Sequence, residues 1–251
     1  MTDRVARFYD RLWARHRPEY APSREHLEAF FDDGEVTGKS VFDAGCGCGI
    51  FSVICAEKGA IVTGADVSAG AIEASEALKK ERGVGNVEFM RADMLDLPFE
   101  DSSFDIVWAW GSVHHTERPM DALDELLRVL KDDGVILLAL YRKSRLTFLH
   151  GIATRILSRT PLAVQPFLAG LISLPLYPFI TLFKKREKMR KGETLAHLVL
   201  DWFFVPIRHH YDPEEIRLYM QSKGFGMEKA IVTASRFDST SNFIFKMRRA
   251  T

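Results

Sequence analysis

Cysteine is scarce in this chain of 251 residues: Cys46, Cys48 and Cys55 are all there is, crowded into ten positions. An odd number at that spacing is no disulfide framework and reads as reduced thiols in a cytosolic protein. No apolar stretch opens the chain; residues 1–15 are punctuated by Asp3, Arg4, Arg7, Asp10 and Arg11, so no secretory signal is expected there. Internal repeats are lacking too. The composition, 47% hydrophobic and 27% charged, excludes a collagenous or intrinsically disordered chain. The length suits one larger α/β domain, or a domain with one sizeable insertion.

Net charge is absent as well, with 34 basic against 34 acidic side chains, but the balance is uneven along the chain. Residues 1–141 hold 15 Lys and Arg against 26 Asp and Glu, a net of −11. Residues 142–191 hold 11 basic residues against the single acid Glu187, a net of +10. The middle segment is therefore built differently from its flanks.

What is present from 40 to 141 is an alternation of short apolar runs and helical patterns. Strands are expected at Ser40–Ala44, Ala60–Ala65, Val87–Ala92, Phe104–Trp108 and Val135–Leu140. Helices are expected at Ile50–Lys58, at Ala69–Arg82 with Ser68 as N-cap, and at Met120–Leu130, with Asp132-Asp133-Gly134 as a turn. Such an alternation implies βαβ units and a parallel sheet covered on both faces. Asp212-Pro213-Glu214-Glu215 starts another helix, with proline at its first position, and Gly224 ends it. Glu228–Ala234 and Asn242–Met247 read as an antiparallel edge.

The segment Val41-Phe42-Asp43-Ala44-Gly45-Cys46-Gly47-Cys48-Gly49 carries the most information. Three alternate glycines follow a strand and precede a helix, where missing Cβ atoms let a ligand approach the backbone. Asp66 ends the second strand, placed to accept hydrogen bonds from two ribose hydroxyls. Asp93 ends the third, with Met94 beside it.

These residues, with GADVS (64–68), RADMLDLPFEDSSFDIV (91–107), WGSVHHT (110–116), LLRVLKDDGVILLALY (126–141) and YDPEEIRLYMQSKGF (211–225), resemble the class I S-adenosylmethionine-dependent methyltransferases. The type 11 branch, which includes the ubiquinone/menaquinone C-methyltransferases, is the most similar. The resemblance is strong over 40–141, weak over 1–39 and absent for most of 146–200. It implies a Rossmann-like seven-stranded mixed sheet with helices on both faces and a largely helical insertion between strand 5 and the final hairpin. By it, Gly45, Gly47 and Gly49 line the methionine part of S-adenosylmethionine, and Asp43 neighbours the amino group. Asp66 binds the ribose, Val67 packs near the adenine, Asp93 meets the adenine amino group with Met94 beside it, and Trp110 and Gly111 border the methyl-donor end. No metal is expected, because Cys46 and Cys48 would need His114 and His115 from another strand end to converge on them.

The methyl donor is already electrophilic, so a general base is needed only where the acceptor must lose a proton. The candidates are His114, His115, which follows the fourth strand at the mouth of the site, and His209, His210 and Tyr211, at the return from the insertion. In the N-terminal segment, Tyr9, Trp13 and Tyr20 could cover the cofactor as a lid, or Phe8, Leu12 and Trp13 could form the packing face of a helix.

The expected organisation is a helical cap at 1–39, a methyltransferase domain at 40–145 and 201–251, and an insertion at 146–200. Thr160–Phe183 has 24 residues without a formal charge, but its four prolines argue against a membrane span. It is either a hydrophobic lid or an interfacial segment whose flank Lys184, Lys185, Arg186, Lys188, Arg190 and Lys191 meets anionic head groups. No aromatic platform for nucleic acid accompanies that run. The expected activity is methylation of a small, apolar or lipid-like acceptor in the cytoplasm or peripherally on the inner membrane face. A polar metabolite as acceptor, or a catalytically silent cofactor-binding module, is the alternative.

Overall fold

A computed structural model describes residues 3–13, 24–25, 27–32, 34–145, 147–183, 195–232 and 242–249. Tyr20 and the basic run from Lys184 to Lys191 lie outside them. Helix α1 (Asp3–Trp13) is followed by β1 (Ser40–Ala44), α2 (Ile50–Glu57), β2 (Ile61–Asp66), α3 (Ala69–Arg82), β3 (Val87–Arg91), β4 (Phe104–Trp110), α4 (Pro119–Val129) and β5 (Leu130–Tyr141). Three helices of the insertion come next, α5 (Thr147–Leu157), α6 (Gln165–Phe183) and α7 (Leu195–Phe203); then α8 (Pro213–Ser222), β6 (Phe225–Val232) and β7 (Asn242–Arg249).

The seven strands form one sheet in the order β3-β2-β1-β4-β5-β7-β6. The first five run parallel, and β7 is antiparallel to both β5 and β6. The order reverses direction at β1, whose neighbours are β2 and β4, so a crevice opens there beyond the strand ends, where open α/β sheets bind ligands.

Strand β1 reads Ser-Val-Phe-Asp-Ala and is buried from its second residue on, as a strand covered on both faces must be. On one face Phe42, Val107, Leu138 and Phe245 pack beneath Leu123 and Leu126 of α4 and Ile216 and Met220 of α8. On the other, Val41, Val62, Ile106 and Trp108 pack beneath Ile54 and Cys55 of α2 and Ala74 of α3. A smaller core joins Phe8 of α1 to Ala169 of α6, Val199 of α7, Phe204 and Val205. The insertion thus packs through α1, which also borders the crevice.

Local signals act where expected. Ser68 caps α3 by accepting from the Ala71 amide at 3.0 Å, and Asp212 caps α8 through Glu214 N at 2.9 Å. Three details differ. Asp132-Asp133-Gly134 is a bulge inside β5, not a turn before it: Phe104 pairs with Leu130 but Ile106 pairs with Val135, so the intervening residues loop out of register. Helix α6 runs for 19 residues straight through Pro175 and Pro178, although each proline removes a backbone donor. Strand β6 starts at Phe225, ahead of the expected Glu228.

Candidate active site

The loop after β1 is shaped by its glycines. Gly45 N and Cys46 N both donate to Ala65 O, at 2.8 and 3.0 Å, tying the loop to the end of β2. Gly45 (φ +75°) and Gly47 (φ +56°) lie in the left-handed region. A Cβ on Gly45 would stand 2.3 Å from Ser112 Cβ, and one on Gly47 would stand 2.7 Å from the Trp13 ring. Both positions therefore exclude a side chain on two counts.

Asp66 is the acid beside that loop. Its carboxylate accepts from Gly47 N at 3.0 Å and from Ser68 N at 2.9 Å, while burial pushes its pKa up to about 6 against those bonds. Each oxygen retains a lone pair that can take a hydroxyl hydrogen. Asp10 fastens α1 above it, accepting from Ser68 Oγ at 2.7 Å and from Gly70 N at 3.1 Å at the start of α3.

The cleft between these elements holds about 630 Å³ of empty space, part of it open to solvent. Gly45, Asp66, Val67, Met94, Trp110, Gly111 and His115 line it, joined by Tyr9 and Trp13 of α1 and by Ser112. Other residues singled out from the sequence stand elsewhere. Gly47 meets Asp66 through its amide, Gly49 forms the N-cap of α2, and Asp93 accepts from Leu95 N at 3.0 Å in the turn after β3. Asp43 is buried, accepts from Ser52 Oγ at 2.6 Å, and has its pKa pushed up to about 7 by burial. Cys46, Cys48 and Cys55 are buried and in no disulfide, and burial pushes the Cys46 thiol well up, which makes it unreactive. No cluster of three His, Cys, Asp or Glu able to hold a metal ion occurs among the described residues.

His115 ends a short 3-10 turn, Val113–His115, directly after β4. Its Nδ1 lies 2.8 Å from Ile207 O. A carbonyl oxygen only accepts, so Nδ1 carries the proton and Nε2 the lone pair. Burial first, and then the Arg208 cation, hold its pKa at about 4, so the ring is neutral near pH 7. Tyr9 meets it edge-on at 5.8 Å. Behind it Tyr141 Oη donates to Asp201 Oδ2 at 3.3 Å, and Arg208, 2% exposed, donates from Nη1 to Trp202 O.

The other candidate bases do not reach the cleft wall. His209 N donates to His114 O and Tyr211 N to Tyr141 O, both at 2.9 Å, so this segment is a backbone strap along the end of β5. The His210 ring sits 5.7 Å from those of Tyr141 and His150. Asp10, Ser112, Asp201 and Arg208 were not singled out from the sequence. A lone acid in the apolar helix Leu195–Phe203 was the one visible sign of Asp201.

Known proteins match this chain in sequence and in fold. A family profile described as a methyltransferase domain covers residues 42–138. That stretch of the chain is a methyltransferase domain. A demethylmenaquinone methyltransferase of Clavibacter sepedonicus is 41% identical over 103 residues, spanning 41% of this chain and 41% of that protein. The ubiquinone/menaquinone biosynthesis C-methyltransferase UbiE of Shewanella piezotolerans is 28% identical over 214 residues, covering 83% of this chain and 78% of that one. The crystal structure of magnesium protoporphyrin IX methyltransferase from Synechocystis PCC 6803 with bound S-adenosylhomocysteine shares the fold. Its TM-score is 0.58 at 20% identity, over 92% of this chain and 83% of that one. The family's methyl donor is S-adenosylmethionine, and the cleft fits it. Asp66 suits ribose hydroxyls, Val67 and Met94 flank a slot for a flat base, and the Tyr9 ring can face a sulfonium cation.

Proposed function

We propose that this protein methylates a small, apolar, lipid-like acceptor whose reacting group loses a proton to His115. The observation that carries the reading is the position of His115: a neutral imidazole, its tautomer fixed by Ile207 O, in the wall of the same cleft as Asp66. S-adenosylmethionine supplies an electrophilic methyl group that leaves as the donor becomes a neutral thioether. The chain's own part is alignment and proton handling. Asp66 holds the ribose, the glycine loop lines the methionine part, Trp110 and Gly111 border the methyl-donor end, and Nε2 of His115 takes the acceptor's proton.

The apolar acceptor is supported by a second groove on the far side of α1. Phe8 and Leu12 of α1, Leu162, Phe167 of α6, and Ala196 and Leu200 of α7 give it apolar walls suited to a hydrocarbon tail, with Arg11 and Gln165 also on its lining. Relatives named for menaquinone synthesis agree with that chemistry. The location this reading favours is cytoplasmic, at the inner face of a membrane.

The test is transfer of a labelled methyl group from S-adenosylmethionine to reduced prenylated naphthoquinones and, in parallel, to polar phenols and amines of similar ring size. Turnover of the prenylated compounds, falling steeply as the tail is removed, supports the proposal. Equal turnover of tail-less polar acceptors overturns the apolar assignment, and cofactor binding without any transfer overturns the enzyme reading.

A further inference from the structure

Helices α5 and α6 present a row of large apolar side chains to solvent, and the most deeply buried positions of α5 are polar. In α5 the buried positions are His150 and Thr154, followed after one more turn by Ser158, all polar and all at four-residue spacing. The outward face carries Phe148 (75% exposed), Leu149 (61%), Ile152 (44%) and Ile156 (63%). In α6 Gln165, Leu168, Ala169 and Ile172 turn inward, while Phe167 (68%), Leu171 (49%) and Leu174 (69%) face out, with Val164 just before them, so this helix is apolar on both sides. Two of the inward polar side chains are bonded. His150 Nε2 lies 2.5 Å from Trp202 O, and Gln165 Nε2 donates to Thr160 O at 3.1 Å. Of twelve large exposed apolar side chains among the described residues, eight lie between 148 and 174, so the exposure is one surface and not scatter.

The charge around that surface is of one sign. Residues 142–183 contain five cations and no Asp or Glu. Arg145, Arg155 and Arg159 are exposed beside the apolar face. No helix among the described residues is long and apolar enough to cross a membrane. A second copy of this chain would bring the same cations against their own kind, which disfavours self-association. We infer that the outward face of α5 and α6 docks in the interfacial plane of an anionic lipid bilayer. The apolar side chains enter the acyl boundary and the arginines meet the head groups. Phe167 belongs both to this face and to the wall of the groove beside α1, so an acceptor drawn from the bilayer would enter the protein there. The docking itself does not depend on which acceptor is methylated.

The experiment is co-sedimentation of the full chain with phosphatidylcholine vesicles, with and without phosphatidylglycerol, at low and high salt. Binding to the anionic vesicles at least about tenfold tighter than to the neutral ones, and weakened by salt, is expected. The exposed triple substitution Leu149→Gln, Ile152→Gln, Ile156→Gln should lower that binding at least about tenfold while S-adenosylhomocysteine affinity stays unchanged. As a check independent of that variant's folding, the emission of Leu149→Trp should shift to the blue on anionic vesicles. Wild-type protein that ignores anionic vesicles at low salt overturns the inference, as does an emission of Leu149→Trp that does not move. A wild-type dimer that the triple substitution splits, without lipid binding, overturns it in favour of self-association.

Discussion

The guanidinium of Arg208 lies 4.0 Å above the ring of Tyr141, and that ring meets His115 edge-on at 5.8 Å. A cation is thus held out of water one aromatic ring away from the proposed base. After burial it is the largest influence holding the His115 pKa at about 4. Arg208→Met preserves the aliphatic cover on Tyr141 and removes the charge. The His115 pKa should then rise, yet remain below its ordinary value, because burial persists. An NMR titration of the imidazole Cε1 proton measures this; an unmoved pKa in the variant refutes the electrostatic link.

His115→Gln should leave S-adenosylhomocysteine affinity nearly intact and reduce kcat about 10²- to 10⁴-fold, the ordinary worth of a positioned general base. The wild-type rate should show no break near pH 6.5 from this residue, since its pKa of about 4 keeps it neutral above that. Stability has the opposite sensitivity. A histidine whose folded pKa is depressed contributes fully above about pH 6.5, and that contribution is lost as pH falls through about 4. His114, fully buried and pushed down by burial, acts in the same direction. The melting temperature should therefore drop between pH 6.5 and 4, and drop less in His115→Gln. Equal drops in both proteins refute the assignment to His115.

Asp43 supplies an opposing slope. Burial raises its pKa to about 7, so the folded state holds the proton more tightly than the unfolded chain. The charged carboxylate costs stability progressively as pH rises from about 4 to 7. Asp43→Asn keeps an acceptor for Ser52 Oγ and removes the charge. Its melting temperature relative to wild type should rise by several degrees between pH 4 and pH 8. Calorimetry at the two pH values decides it, and a difference that does not change with pH refutes it.

Much of this was legible because strand and helix periods differ so sharply between 40 and 141. Asp66 and Gly45 could be placed in one site from a strand end and a glycine spacing alone. The bulge in β5 could not, since Asp132-Asp133-Gly134 has the composition of a turn and only pairing with β4 keeps it in the strand. Asp10, Asp201 and Arg208 escaped for a related reason. Asp10 meets Ser68 across 58 positions and Tyr141 meets Asp201 across 60, distances over which no local pattern reports. The insertion was expected to be largely helical, but the bounds of α6 were not legible, because packing of Ala169 with Val199 and Phe8 accompanies a helix that runs on through two prolines.

Asp66 couples ligand binding to protons. Its pKa of about 6 in the free protein reflects burial opposed by the amides of Ser68, Gly47 and Val67. Hydroxyl groups of a ribose donate only to lone pairs and favour the carboxylate over the acid, so binding should lower that pKa and release a proton near pH 6. The affinity for S-adenosylhomocysteine should accordingly weaken as pH falls from 8 to 5. Calorimetry in buffers of different ionisation enthalpy should register fractional proton release around pH 6. Asp66→Asn should bind more weakly at pH 8, by about 1.5–3 kcal/mol, and lose the pH dependence. Gly47→Val provides the steric control, because its Cβ must occupy the space 2.7 Å from the Trp13 ring in a left-handed backbone conformation, and it should abolish binding at every pH. Unchanged affinity in Asp66→Asn, or proton release that persists in that variant, would remove Asp66 from the nucleoside site.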